Sequence, residues 1–157
     1  MKQRALPLAG VKVVELGQLL AGPFAGTLLA YFGAEVIKVE PPGGDPIRGW
    51  RKLDDTGTSF WWRSLGRNKR SVTLALKSDA GRELAARLID DSDVLIENFR
   101  PGTLESWGLG PERFKTSNPG LIYTRISGYG QDGPYAASYT QLRAHETVPA
   151  LVCRLLL

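Results

Sequence analysis

Residues 128–133 read Gly-Tyr-Gly-Gln-Asp-Gly, a formal Gly-x-Gly-x-x-Gly directly after a stretch with strand character. A dinucleotide site needs more than these glycines. A helix must open at the third one so that its amides meet the pyrophosphate, and an acidic residue about twenty positions on must meet the ribose. Pro134 and Tyr135 follow instead, and no acidic residue stands at that distance, so the run reads as a turn. Hydrolytic chemistry fares no better. The one histidine, His145, lies in a context that matches no catalytic motif, and no serine stands in Gly-x-Ser-x-Gly. His145 and Cys153 are too few ligands for a zinc site, and no metal is expected.

The carboxylates divide by position. Asp54-Asp55 and Asp90-Asp91 are adjacent pairs on polar segments and read as solvated, because neighbours in sequence do not face one another on a helix. Glu15, Glu40 and Glu97 each close a predicted parallel strand, the edge at which open α/β sheets place their ligands. Capping a loop amide is their other role, and both readings stand.

The net charge of +4 is concentrated in Arg48, Arg51, Lys52, Arg63, Arg67, Lys69 and Arg70, interleaved with Trp50, Phe60, Trp61 and Trp62. Such a stretch could stack on bases, hold an adenine-and-phosphate cofactor, or be a solvated loop.

Positioning these residues requires a scaffold, and the apolar pattern supplies one. Residues 8–16 hold Val11, Val13 and Val14, a run suited to a buried parallel strand. A helix is predicted from Pro23 to Phe32, with Phe24, Leu28, Leu29 and Phe32 at helical spacing and Gly33 as its stop. Residues 34–40 form a second strand, ended by Pro41-Pro42-Gly43-Gly44. Residues 41–68 read as a long ordered loop with a short helix near 60–63, and loops of that length are often functional. A third strand spans 71–76. Ser78 then caps a helix running to Ile89 or Asp90, with Leu84, Ala85 and Leu88 inward. Further strands at 93–97 and 121–127 flank short helices at 103–107 and 111–115. Alternating strands and helices predict an α/β fold, a parallel sheet with flanking helices.

Composition narrows the class. Of 157 residues, 43% are apolar and 23% charged, enough for a packed core and against a disordered tail. The length allows one domain, at most with part of a second. Cys153 is the only cysteine and demands no oxidising compartment. No apolar run reaches the roughly 18 residues of a membrane span, and residues 1–10 lack the apolar core of a secretory signal. No membrane partner is expected, and the cytoplasm is the default compartment with mitochondria as the alternative.

An ordered series of blocks then carries a resemblance: LAGVKVVEL, LLAGPFAG, FGAEVIKVEPPGGDPIRGW, GRNKRSVTLALKSDAG, DVLIENFRPG, WGLG and NPGLIYTRISGYGQDGPY. This series resembles the amino-terminal part of the class III CoA-transferases, the family of formyl-CoA and carnitine-CoA transferases and α-methylacyl-CoA racemase. The resemblance covers residues 7–135 and implies a Rossmann-like, CoA-binding portion, truncated relative to the family fold. The TGTSFWWRSLGRNKRS segment favours the transferase branch, with the racemase as the alternative.

By position the resemblance implies CoA contacts at Gln18, Leu20 and Ala21 around the AGP motif, at Leu74 and Lys77 of an L-x-x-K stretch, and at Glu97, Asn98, Phe99 and Arg100. A lysine beside a phosphate is sound chemistry. Pro41 and Ser106 stand where the formyl-CoA transferase pattern has basic residues. Coenzyme A enters as part of an acyl-CoA substrate, with a carboxylic acid as the other partner and no nucleic acid.

In the family an aspartate attacks the acyl-CoA thioester and the acyl transfer passes through an enzyme-bound aspartyl thioester. That aspartate lies beyond the Gly-Tyr-Gly-Gln block, and no Asp follows Asp132 here, so no catalytic residue is assigned and a non-catalytic CoA-binding role is the other alternative. Residues 136–157 leave the family pattern and form a divergent tail, either a frameshift product or an alternative end; as a helix it would bury Leu142, Val148, Leu151, Val152 and Leu155, with Pro149 against it. Family members are interlocked homodimers, and a chain of this length would not complete that ring, which implies weak stability and exposed apolar surface.

Overall fold

The valine-rich run at the start of the chain pairs on both sides, as a strand buried on two faces must. In a computed structural model, which describes residues 6–132 and residue 134, β1 (Lys12–Glu15) lies between β2 (Glu35–Glu40) and β4 (Val94–Glu97). β3 (Lys69–Thr73) extends the sheet beyond β2, and β5 (Ile122–Arg125) extends it beyond β4. All pairings are parallel, in the order β3-β2-β1-β4-β5, the α/β arrangement expected. Val13 pairs with Val36 on one side and Val94 on the other. The order reverses between β1 and β4, which puts the topological switch point at their carboxyl ends. The expectations for residues 136–157, His145 and Cys153 among them, lie outside the described residues.

Helices cover both faces. On one, α1 (Ala21–Tyr31) packs Ala30 against Val13, Val36 and Ile96. Against the other, α3 (Asp79–Asp90) packs Ala85, Ala86 and Ile89 on Val14, Leu16, Val39 and Leu95. Leu104 of α4 (Thr103–Ser106) and Phe114 of α5 (Pro111–Ser117) complete that layer. Among the described residues no helix is long and apolar enough to cross a membrane.

The inner face of α1 differs from the expectation. Phe24, Leu28 and Phe32 are exposed, and the buried side of the helix is Gly22, Pro23, Gly26, Thr27 and Ala30. Proximity explains the inversion: a Cβ on Gly26 would land on the Glu15 carboxylate, so only small residues fit against the sheet. The helix ends as predicted. Gly33 takes φ 102°, its amide donates to Ala30 and that of Ala34 to Leu29, the paired bonds of a Schellman stop.

α3 is rotated in the same sense. Ser78 caps it, its hydroxyl accepting from the Gly81 amide at 3.1 Å, but Leu84 is 46% exposed while Gly81, Ala85 and Ile89 face inward. Gly81 abuts the Ala75 carbonyl and leaves no room for a side chain.

β3 starts two residues before the predicted strand and ends three before it. Its ladder closes at Leu74, whose amide donates to the Glu40 carbonyl at 2.9 Å, and the chain then turns through Ala75 to Ser78. The loop over 41–68 is ordered by a 3₁₀ turn at Pro46–Gly49, by α2 (Phe60–Leu65) and by a bridge between Leu53 and Ser59. Asp54 is not simply solvated. Its carboxylate accepts from the amides of Thr56 (2.9 Å) and Thr58 (3.0 Å) and pairs with Arg63, while the Thr56 hydroxyl leads the bonds that hold it well below the usual carboxylate range. Asp91 pairs with Lys12 at the exposed surface.

Candidate functional site

Where β1, β2, β3 and β4 end, their following loops enclose a cleft of about 280 Å³. Leu16 and Val39 form its floor, Pro41 and Pro42 one wall, and Leu74, Ala75 and Leu76 another. Phe99 and Trp107 close it, edge to face with ring centroids 5.4 Å apart. Gln18 and Lys77 supply the polar groups at its rim. Apolar walls with a few polar groups at the rim are the usual make-up of a small-molecule cleft, and Lys77 is exposed at this rim.

Of the residues expected to bind a ligand, Gln18, Leu74, Lys77 and Phe99 line this cleft together. Leu20 and Ala21 stand apart from the lining, at the cap and first residue of α1. Arg100 is exposed and also outside the lining. Glu97 and Asn98 lie beneath the cleft wall. The Glu97 carboxylate accepts from the Phe99 amide at 2.7 Å and from Arg125 Nε at 3.3 Å. Burial raises its pKa, opposed by those two bonds. The Asn98 amide brackets the backbone of Gln18, accepting from its N–H at 2.7 Å and donating to its carbonyl at 3.0 Å. Leu16, Val39, Pro41, Pro42, Ala75, Leu76 and Trp107 were not foreseen as site residues. The rule that ligands sit past strand ends would have selected Leu16, Val39 and the prolines.

Opposite the cleft, towards α1, the other strand-end carboxylates are buried in ion pairs. Lys38 Nζ is 2.9 Å from Glu15 Oε1 and 2.8 Å from Asp45 Oδ2, and donates to the Gly17 carbonyl at 2.8 Å. Lys69 Nζ meets Glu15 Oε2 and the Pro23 carbonyl, each at 2.6 Å. Burial lowers the Lys69 pKa, opposed by Glu15. Glu40 accepts two hydrogen bonds from Arg48, at 2.6 and 2.7 Å, with others from Ser71 and the Asp45 amide. Glu97 and Glu40 thus cap loop amides, of Phe99 and Asp45, whereas Glu15 is held by Lys38 and Lys69 and caps none.

The basic aromatic loop is largely self-paired. The Arg48 guanidinium lies 3.6 Å over the Trp62 ring, Arg51 is 4.9 Å from the Trp50 centroid, and Trp50 and Trp61 are 5.9 Å apart. Among the described residues no three His, Cys, Asp or Glu side chains gather to hold a metal ion.

Comparison with known proteins adds to this geometry. A family model described as CoA-transferase family III matches residues 8–142. Over 130 residues the chain is 58% identical to succinyl-CoA–D-citramalate CoA-transferase of Chloroflexus aurantiacus, covering 82% of this chain and 32% of that protein. Over 143 residues it is 45% identical to succinate–glutarate CoA-transferase of Agrobacterium fabrum, covering 87% and 36%. A solved CAIB/BAIF family protein from Brucella suis superposes with a TM-score of 0.79 at 46% identity, covering 85% of this chain and 36% of that one. The chain thus spans about a third of the length of the relatives it matches.

Proposed function

The chain belongs to CoA-transferase family III, and from that premise we propose that it is the CoA-binding portion of an enzyme that moves CoA between carboxylic acids. The observation that carries this reading is the cleft at the carboxyl edge, where Gln18, Leu74, Lys77 and Phe99 converge from three separate segments. Its apolar walls would hold the adenine of CoA, and Lys77 would meet a phosphate. The names of the relatives, which act on succinyl-CoA, citramalate, succinate and glutarate, support dicarboxylic acids as the exchanging partners.

The reaction we assign is acyl transfer through an aspartate. Its carboxylate attacks the thioester carbonyl, giving a mixed anhydride and CoA thiolate; the thiolate then attacks the aspartyl carbonyl and releases the donor acid. The acceptor carboxylate attacks the aspartyl thioester, and the returning thiolate takes the new acyl group and frees the aspartate. None of the described aspartates is assigned this role. Asp45 lies buried against Lys38, and Asp54 is held in its own turn. We propose a homodimer as the working assembly, supported by the family resemblance and by the exposed apolar side of α1.

Titration with CoA, followed by tryptophan fluorescence, tests the reading, because Trp107 lines the cleft. A saturable change that is lost in Trp107→Phe is expected. No saturable change in the wild-type chain would overturn it.

A further inference from the structure

Leu19 has φ 60°, a left-handed backbone that a bulky side chain rarely adopts and that persists only where its surroundings enforce it. Its surroundings do enforce it. The three residues Gly17 to Leu19 have their backbone held by side chains from three other segments. Lys38 Nζ donates to the Gly17 carbonyl at 2.8 Å, Asn98 brackets both backbone groups of Gln18, and the Leu19 amide donates to Asp45 Oδ1 at 3.2 Å. Asn98 has no freedom to do otherwise: a Cβ on Gly17 or Gly22 would stand 2.7 or 3.0 Å from its Oδ1, so it is wedged between two glycine backbones. Asp45 is fixed as firmly, with its side chain fully buried against Lys38 and its Oδ1 also accepting from the Ile47 amide at 2.9 Å. Gln18 itself lines the cleft.

We propose that Asn98 and Asp45 are positioning residues. They clamp the turn at Leu19 in its left-handed shape and so present the Gln18 amide, already oriented, to the ligand in the cleft. Asn98 then acts on the ligand through Gln18 and not by touching it, and the strain at Leu19 is the cost of a preorganised contact. The ligand named here rests on the CoA reading above; the clamp itself does not.

Three variants test it: Leu19→Gly, which relaxes the strained φ, Leu19→Asn, which tolerates it, and Asn98→Asp, which keeps the acceptor and loses the donor to Gln18. Three readouts are compared: thermal midpoint, CoA affinity by tryptophan fluorescence, and amide hydrogen exchange at Gln18 and Leu19 without ligand. Leu19→Gly should keep the wild-type thermal midpoint, weaken CoA binding about fivefold or more and speed exchange at both amides, because a freed turn must be ordered on binding. Leu19→Asn should bind within about twofold of wild type. Asn98→Asp should repeat the affinity and exchange changes. Wild-type affinity in both Leu19→Gly and Asn98→Asp, or fast exchange of both amides in the wild-type chain, would overturn the proposal. If the wild-type chain binds no CoA, the CoA reading falls, and exchange alone decides: acceleration in Leu19→Gly upholds the clamp, and its absence ends it.

Discussion

Lys38 Nζ lies 2.9 Å from Glu15 Oε1, and neither side chain reaches water, their exposures being 1% and 0%. Two adjacent strands thereby carry opposite charges into the α1 side of the sheet, where each would be costly alone. The pair also reaches the loops through Lys38, to Asp45 and the Gly17 carbonyl, and the neighbouring β3 through Glu15, to Lys69.

Removing one member should be far worse than the pair is good. Lys38→Ala removes the ion-pair partner of the buried Asp45 and should lower unfolding free energy by about 3–5 kcal/mol. Urea denaturation at neutral pH checks this, and a loss below about 1 kcal/mol would contradict the buried pairing.

Glu40 gives a pH dependence. Burial by itself raises its pKa, but hydrogen bonds from Arg48, Ser71 and the Asp45 amide override that and hold it at about 2, below the ordinary 4.5. A carboxyl whose folded pKa lies below its unfolded one contributes stability that is complete above the unfolded value and lost as pH falls through the folded one. The advantage of the wild-type chain over Glu40→Gln should therefore shrink as pH drops from about 4.5 to about 2. Urea midpoints of the two proteins across that range measure it; a constant gap would refute the assignment.

The inverted α1 predicts opposite outcomes on its two sides. Gly26→Ala should destabilise by about 1–3 kcal/mol or more, since the added methyl displaces a buried carboxylate. Phe24→Glu with Leu28→Lys, on the exposed side, should change unfolding free energy by under about 0.5 kcal/mol per site. The double variant should also elute later from gel filtration than the wild-type chain if that face mediates self-association.

Within the cleft, Lys77→Ala should weaken CoA binding about tenfold, the scale of one charge-assisted hydrogen bond, and reduce its salt dependence. Arg100→Ala should change affinity by less than about twofold, because Arg100 stands outside the lining. Equal losses in both would place the phosphates elsewhere than we propose. Fluorescence titration at two salt concentrations separates these outcomes.

Much of this molecule was legible in its order of residues. Valine-rich runs broken by Pro41-Pro42 and by Gly33 predicted strands and stops because a buried parallel strand must be apolar on both faces and a left-handed helix end favours glycine. Ser78 announced its helix by the same kind of local bond. Helix orientation was not legible at Phe24 and Leu84, whose apolar periodicity points one way while Gly22, Gly26 and Gly81 dictate the other. Hydrophobic spacing counts apolar residues and takes no account of how closely a helix must approach what lies beneath it.

The site divides on the same line. Sequence by itself determined the family and the alternation of strands and helices, and its resemblance singled out Gln18, Leu74, Lys77 and Phe99, which line one cleft. These follow from local patterns and from motifs whose order the chain preserves. Tertiary structure alone decided that Glu97 and Asn98 work from beneath the wall, that Trp107 and two prolines belong to it, and that Glu15, Lys38, Asp45 and Lys69 form one buried set of charges. Those relations join residues separated by up to 80 positions, and only the register of parallel strands brings them within hydrogen-bond reach.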